Sequence, residues 1–208
     1  MKSIIVGLTI CCLATAGSGE SVKVEAIQTV GAWTLDVVFE QPRAITLRLP
    51  GDTEDTRYWY IIVSLTNKTG KDVGFYPDCE LMTDTYQITR AGVGVRNEVY
   101  ERIKELYRDR YPFLESLEKA IGQLPQGADY TKDVVIVWRD FDKDARSVKF
   151  FIAGLSNDTE AVQKPGTGGD EGKVLLRKTL ELSYSITGEP AMRTEENLVY
   201  KGKKWVMR

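Results

Sequence analysis

The chain has 208 residues, 42 % apolar and 28 % charged, an ordinary globular composition far from that of a disordered segment. Its 28 Lys and Arg nearly balance 30 Asp and Glu, for a formal charge of −2, so it lacks the basic surplus of a nucleic-acid binder. Histidine is absent, which removes Ser–His and Cys–His catalysis, histidine-bearing zinc sites and the usual general base near neutral pH.

The chain opens with the pattern of an export leader. Lys2 is a positive n-region, Ile4 to Leu13 an apolar h-region, and Ala14-Thr15-Ala16 a small-x-small cleavage site. Cleavage after Ala16 is expected to leave a single domain over residues 17–208, about 190 residues with a charge of about −3. The leader is too short for a transmembrane helix, and no later stretch approaches the ~20 apolar residues one needs. Leu8-Thr9-Ile10 ahead of Cys11 lacks the small residue of a lipoprotein signal, so no lipid anchor is expected. Cys11 and Cys12 leave with the leader, and Cys79 alone remains, without an internal disulfide partner. A periplasmic or extracellular protein is expected.

Trp33, Leu35, Val37 and Phe39 alternate as one face of a first strand, and Ile45, Leu47 and Leu49 repeat the pattern before Pro50-Gly51. Asp52 to Thr56 reads as an acidic loop. In Tyr58 to Thr66, the strongest strand, Trp59, Ile61, Val63 and Leu65 form the apolar side, and Tyr58, Tyr60, Ser64 and Thr66 a wetter one. Asn67-Lys68-Thr69-Gly70 is a turn, and Val73–Tyr76 and Tyr86–Thr89 are short strands divided by Pro77-Asp78.

The period then changes. Val99, Ile103, Leu106 and Tyr107 fall on one helical stripe, with Asn97 placed to cap it and Glu98 four residues before Arg102. Pro112 starts a second helix with Phe113, Leu114, Leu117 and Ile121 inward and Leu124-Pro125 as its stop. The spacing predicts a helical hairpin over residues 97–124, packed at one end or over an edge strand.

Strands resume at Val134–Trp138, apolar throughout and suited to a central position, and at Val148–Ala153. Val174 to Thr187 alternates for more than about 40 Å, so a bulge or bend is expected within it. Leu198–Tyr200 and Trp205–Met207 are expected to pair as a closing hairpin across Lys201-Gly202-Lys203-Lys204. Eight or more such strands predict a mainly β fold, an immunoglobulin-like antiparallel sandwich of two sheets with an inserted helical hairpin.

Each candidate site has a plain competing reading. Asp140, Asp142 and Asp144 have calcium-loop spacing, but Ala145 and Phe151 stand where the turn glycine and the bidentate glutamate belong, so an acidic loop is expected. Gly166 to Lys173 superficially suggests a phosphate loop, but Thr167 and Val174 occupy required positions and Asp170 and Glu171 repel phosphate. A flexible connection is expected there instead. Cys79 lies between Asp78 and Glu80, which disfavour the thiolate, and reads as a buried structural cysteine. Asn67-Lys68-Thr69 and Asn157-Asp158-Thr159 are glycosylation sequons that also serve as ordinary turn chemistry. Lys201, Lys203, Lys204 and Arg208 surround Trp205, read as a core tryptophan at a solvated strand end rather than a polyanion site. Glu115, Glu118, Glu181 and Glu189 are carboxylates for a glycosidase-type pair, with no motif to select among them.

Tyr58 to Gly70 resembles the aromatic-rich strand and Thr-Asn-x-Thr-Gly type turn of immunoglobulin-like domains in exported bacterial proteins. Asp140-Phe141-Asp142, Phe150 to Asn157 and the terminal Trp205-Val206-Met207-Arg208 are similar to segments of uncharacterised bacterial envelope proteins of that kind. The resemblance covers about a third of the chain and implies an immunoglobulin-like β-sandwich in the cell envelope. It brings no catalytic motif.

These readings lead to an exported, non-catalytic module with a protein partner or self-assembly, no cofactor, no metal and no nucleic acid. An extracytoplasmic binder of carbohydrate or a small apolar molecule is the alternative, with Tyr58, Tyr60, Trp138 and Phe151 as stacking surfaces. A carboxylate hydrolase is the third reading.

Overall fold

The computed structural model describes residues 31–164, 172–189 and 193–208; the expected leader and most of the Gly-rich connection lie outside these. The described chain is mainly β, in two open sheets and a two-stranded ribbon. The first sheet takes β1 (Asp36–Phe39), β2 (Arg43–Leu47), β3 (Thr56–Asn67), β7 (Glu115–Ser116) and β9 (Gly127–Arg139). It is antiparallel except for β7, which runs parallel to β9. β1 and β2 line one edge of β3, with Phe39 opposite Val63 and Arg43 opposite Tyr60. The edge therefore holds one residue more than β3 over that interval, a bulge where Pro42 has no N–H for the ladder.

The second sheet comprises β5 (Asp78–Thr83), β6 (Ile88–Arg90), β10 (Ser147–Ala153), β11 (Thr159–Gln163), β12 (Lys173–Ile186) and β13 (Leu198–Met207), all antiparallel. β4 (Val73–Phe75) and β8 (Gly122–Leu124) form the ribbon. The two sheets press face to face. Trp59, Ile61, Val63, Ile136 and Trp138 of the first meet Leu81, Val148, Phe150, Leu182 and Tyr184 of the second in one buried cluster. Trp138 and Phe150 meet across that interior with ring centroids 5.1 Å apart, and Phe150 meets Tyr184 edge-on at 5.7 Å.

The back of the first sheet is not wet. α1 (Asn97–Leu106) lies across it, and its Val99, Tyr100 and Ile103 pack on Tyr58, Tyr60, Ile62, Val135 and Val137 as a second buried cluster. The described architecture is thus helix on sheet on sheet, and α1 sits over the middle strands rather than at an end or edge. The expected wet face keeps its phenols partly satisfied under this cover: the Tyr60 hydroxyl lies 3.3 Å from that of Tyr107.

Several expectations are corrected here. The stretch from Pro112 is not a second full helix. Only Leu117–Ala120 (α2) is helical, because Glu115-Ser116 pair with Val134-Val135 and Gly122 turns the chain into β8. Leu114 and Leu117 point inward as expected, but Phe113 is 85 % exposed and Ile121 also faces outward. Arg96, which makes no side-chain capping bond, precedes α1 in place of an Asn97 cap, and Arg102 pairs with Glu105 rather than Glu98. The closing hairpin is instead one strand: β13 runs unbroken against β12, which would otherwise have an unpaired edge over Lys178–Ile186. Its register shifts at Lys201-Gly202, where glycine takes φ +147°. Trp205 is not in the core but 39 % exposed at the seam between β1 and β13, under the Lys178 ammonium at 5.4 Å. β5 and β11 lie where no strand was expected.

Candidate functional site

The two outer faces of the pair of sheets differ. α1 covers the first, whereas the outer face of the second carries a charged row in register across five strands. Arg90, Glu80, Phe151, Glu181 and Lys204 stand side by side on β6, β5, β10, β12 and β13. Glu181 is the unusual member, a carboxylate only 5 % exposed in its side chain. It accepts from Ser183 Oγ at 2.9 Å, with Lys149 Nζ at 3.1 Å and Lys204 Nζ at 3.6 Å. Burial alone pushes its pKa up, but the bonds from Ser183 and Lys149 and the two ammonium charges outweigh this and hold it below the usual carboxylate range. Arg208 pairs with Glu80 at 2.8 Å and lies 4.0 Å over the Phe151 ring, flanking the middle of the row.

Beyond Arg208 the row opens into a groove. One compartment, about 350 Å³, is floored by Phe151, Ala153 and Thr179 and flanked by Asp78, Glu80 and Arg208. The next, about 450 Å³, lies between Trp33, Gly74, Tyr76, Gly154, Asn157 and Thr159. Leu175 and Arg177 line both, so the two are continuous. The wall they form is the start of β12, paired with β11 through Val162–Val174 and Ala161–Leu175. The far wall is held by the incoming chain: Trp33 N donates to Asn157 Oδ1 at 2.7 Å, and Ser156 Oγ donates to Trp33 O at 2.6 Å.

The structure disperses the residues singled out in the sequence. Tyr58 and Tyr60 lie under α1, Trp138 lies between the sheets, and Phe151 is on the outer face of the second sheet, so the four rings do not line one pocket. Glu115 and Glu118 belong to the β7–α2 segment, Glu181 lies on β12 of the other sheet and Glu189 is exposed after it. In the acidic loop, Asp140 Oδ1 accepts from Trp59 Nε1 at 2.7 Å, Asp142 Oδ1 accepts from Asp144 N at 2.9 Å and Asp144 pairs with Lys143. These carboxylates hold the loop together, and no group of His, Cys, Asp or Glu among the described residues is disposed to hold a metal.

Cys79 is buried on the inner face of β5, where desolvation and the neighbouring Asp78 charge push its thiol pKa up. Asn67 is wholly buried: its Nδ2 donates to Lys71 O and Leu124 O, each at 2.8 Å, and its Oδ1 accepts from Thr69 N and Oγ1. Asn157 binds Trp33 as above. Lys203 lies 5.7 Å over Phe39 and Lys204 serves Glu181, so these two ammonium groups near Trp205 have different partners. Gly166 to Glu171 lie outside the described residues.

Trp33, Tyr76, Asp78 and Arg177, the groove's most available groups, carried no motif. The one signal was Tyr76-Pro77-Asp78, whose proline marked a break in the chain but not what the break exposes. Comparison with protein-family models, curated proteins and solved structures finds no match to this chain.

Proposed function

We propose that the chain is an exported, non-catalytic interaction module of the cell envelope, built as an immunoglobulin-like sandwich with a helical insertion in the 97–124 region. It works by docking a protein partner or another copy of itself through the uncovered face of its second sheet. The observation that carries this reading is the asymmetry of cover: α1 seals the first sheet, while no described element lies over the outer face of the second, which extends into the β11–β12 pair. That pair presents Leu175 at 60 % exposure, with Ala161, Val162, Val174 and Leu176 only half-buried around it. A two-stranded segment of this kind has little stability of its own in water and gains from a further surface. The immunoglobulin-like part of the reading draws support from Trp33–Leu35, which bonds to Leu155–Asn157 beside the second sheet before β1 joins the first. A non-catalytic role draws support from the separation of Glu181, on the second sheet, from Glu115 and Glu118 in the β7–α2 segment, where Glu115 pairs with Lys132.

The test is sedimentation of the protein purified from its native envelope, beside Leu175→Asp. A species heavier than the monomer that Leu175→Asp dissolves is expected. A strict monomer with no co-purifying protein contradicts the proposal.

A further inference from the structure

We infer that the groove between Tyr76 and Arg177 is a binding site for a neutral carbohydrate, a role that goes beyond protein docking although the groove shares Leu175 with the proposed docking face. Its aromatic surface is exposed, and the backbone that carries it is closely packed. Tyr76 is 65 % exposed, but its ring lies so close to Gly74 that a Cβ there would stand 2.6 Å from Tyr76 Cε2. Behind it, Gly154 has φ +87°, and a Cβ at that position would come 2.5 Å from Tyr76 O. The backbone under the ring thus packs directly on Gly154, which leaves the ring face open to a ligand. Trp33, half-buried and anchored by Asn157 and Ser156, adds a second ring to the same compartment. Flat aromatic faces of this kind suit the C–H face of a sugar ring.

The polar groups complete the chemistry. Neither the Asp78 carboxylate nor the Arg177 guanidinium has a hydrogen-bond or ion-pair partner among the described residues, and both line the groove. The Trp33 indole N–H is likewise unpartnered among them. A carboxylate accepts from neighbouring hydroxyls, while guanidinium and indole N–H groups donate to hydroxyl or ring oxygens. Charge selects against the alternatives. Asp78 and Glu80 balance Arg177 and Arg208, so a polyanion meets carboxylates and a polycation meets guanidiniums. A neutral, polyhydroxylated ligand with an apolar face satisfies every group present. Both compartments are of a size that small-molecule sites use, and their continuity suits a short oligosaccharide better than one sugar ring.

The experiment titrates the intact purified protein with maltotriose, cellotriose, mannotriose and chitotriose, followed by tryptophan fluorescence and amide chemical shifts. Saturable binding of at least one trisaccharide is expected, with shifts at Trp33, Tyr76 and Arg177. Tyr76→Ala and Asp78→Asn are each expected to weaken it by about tenfold or more with an unchanged melting temperature. Asp78→Asn alters an exposed group, so it reads the site even if Tyr76→Ala disturbs the fold. No response to any of the four at about 20 mM overturns the inference, as does binding that both variants leave intact. A protein that still sediments as an assembly but binds no trisaccharide overturns the sugar site alone, and a strict monomer that binds one overturns the docking proposal alone.

Discussion

The guanidinium of Arg193 lies 5.0 Å over the Phe141 ring while donating to the carbonyls of Asp142, Lys143 and Ala145 at 3.1, 2.6 and 3.0 Å. One buried side chain thus ties the segment before β13 to the loop joining β9 and β10. Removing it leaves the buried Ala145 carbonyl without this donor and the loop without its tie. Arg193→Ala is expected to destabilise the protein by about 2–4 kcal/mol, read as a lower midpoint in urea with an unchanged slope. A midpoint that does not move contradicts this role.

Asn67 acts in the same way at the turn after β3, where two carbonyls and Thr69 use its whole amide. Asn67→Ala should cost about 2–3 kcal/mol. The same burial closes the sequon once the chain has folded, so native protein exposed to glycosylating conditions should show no sugar at Asn67 by peptide mass. Modification of the folded protein at this residue counts against the placement.

Glu181 makes stability depend on acid. Its pKa is lower folded than unfolded, so the folded state holds fewer protons and the stabilisation is complete above the unfolded value. It is lost as pH falls through the folded pKa. Urea denaturation between about pH 5 and pH 3 should therefore show falling stability, with a shallower fall in Glu181→Gln. Equal slopes in the two proteins contradict the assignment.

The Cys79 thiol, buried and raised in pKa, should resist Ellman's reagent in native protein and react promptly once unfolded in guanidinium. Rapid reaction of the native protein contradicts the packing of β5.

Legibility of the fold followed the range of the forces involved. Trp59, Ile61, Val63 and Leu65 were readable as a core face because alternation is local to the strand. Tyr58 and Tyr60 were not readable as buried, since what covers them is α1, some forty positions away, and a phenol suits either surface. β5 was hidden by Pro77-Asp78, which carry a break signal although the strand begins at Asp78 itself. The second helix failed for the reverse reason: Leu114 and Leu117 have helical spacing, but pairing of Glu115-Ser116 with β9 outweighs it. The groove was least legible, because Trp33, Tyr76, Asn157 and Arg177 meet only through the sheets and no local pattern links them.

The most direct measurement is site-specific photo-cross-linking in the native envelope, with the probe at Leu175 and, as a control on another exposed surface, at Tyr130. A defined adduct with one protein or with a second copy from position 175, absent from position 130, is the result expected of a module that docks through its second sheet. Equal, diffuse labelling from both positions would contradict it.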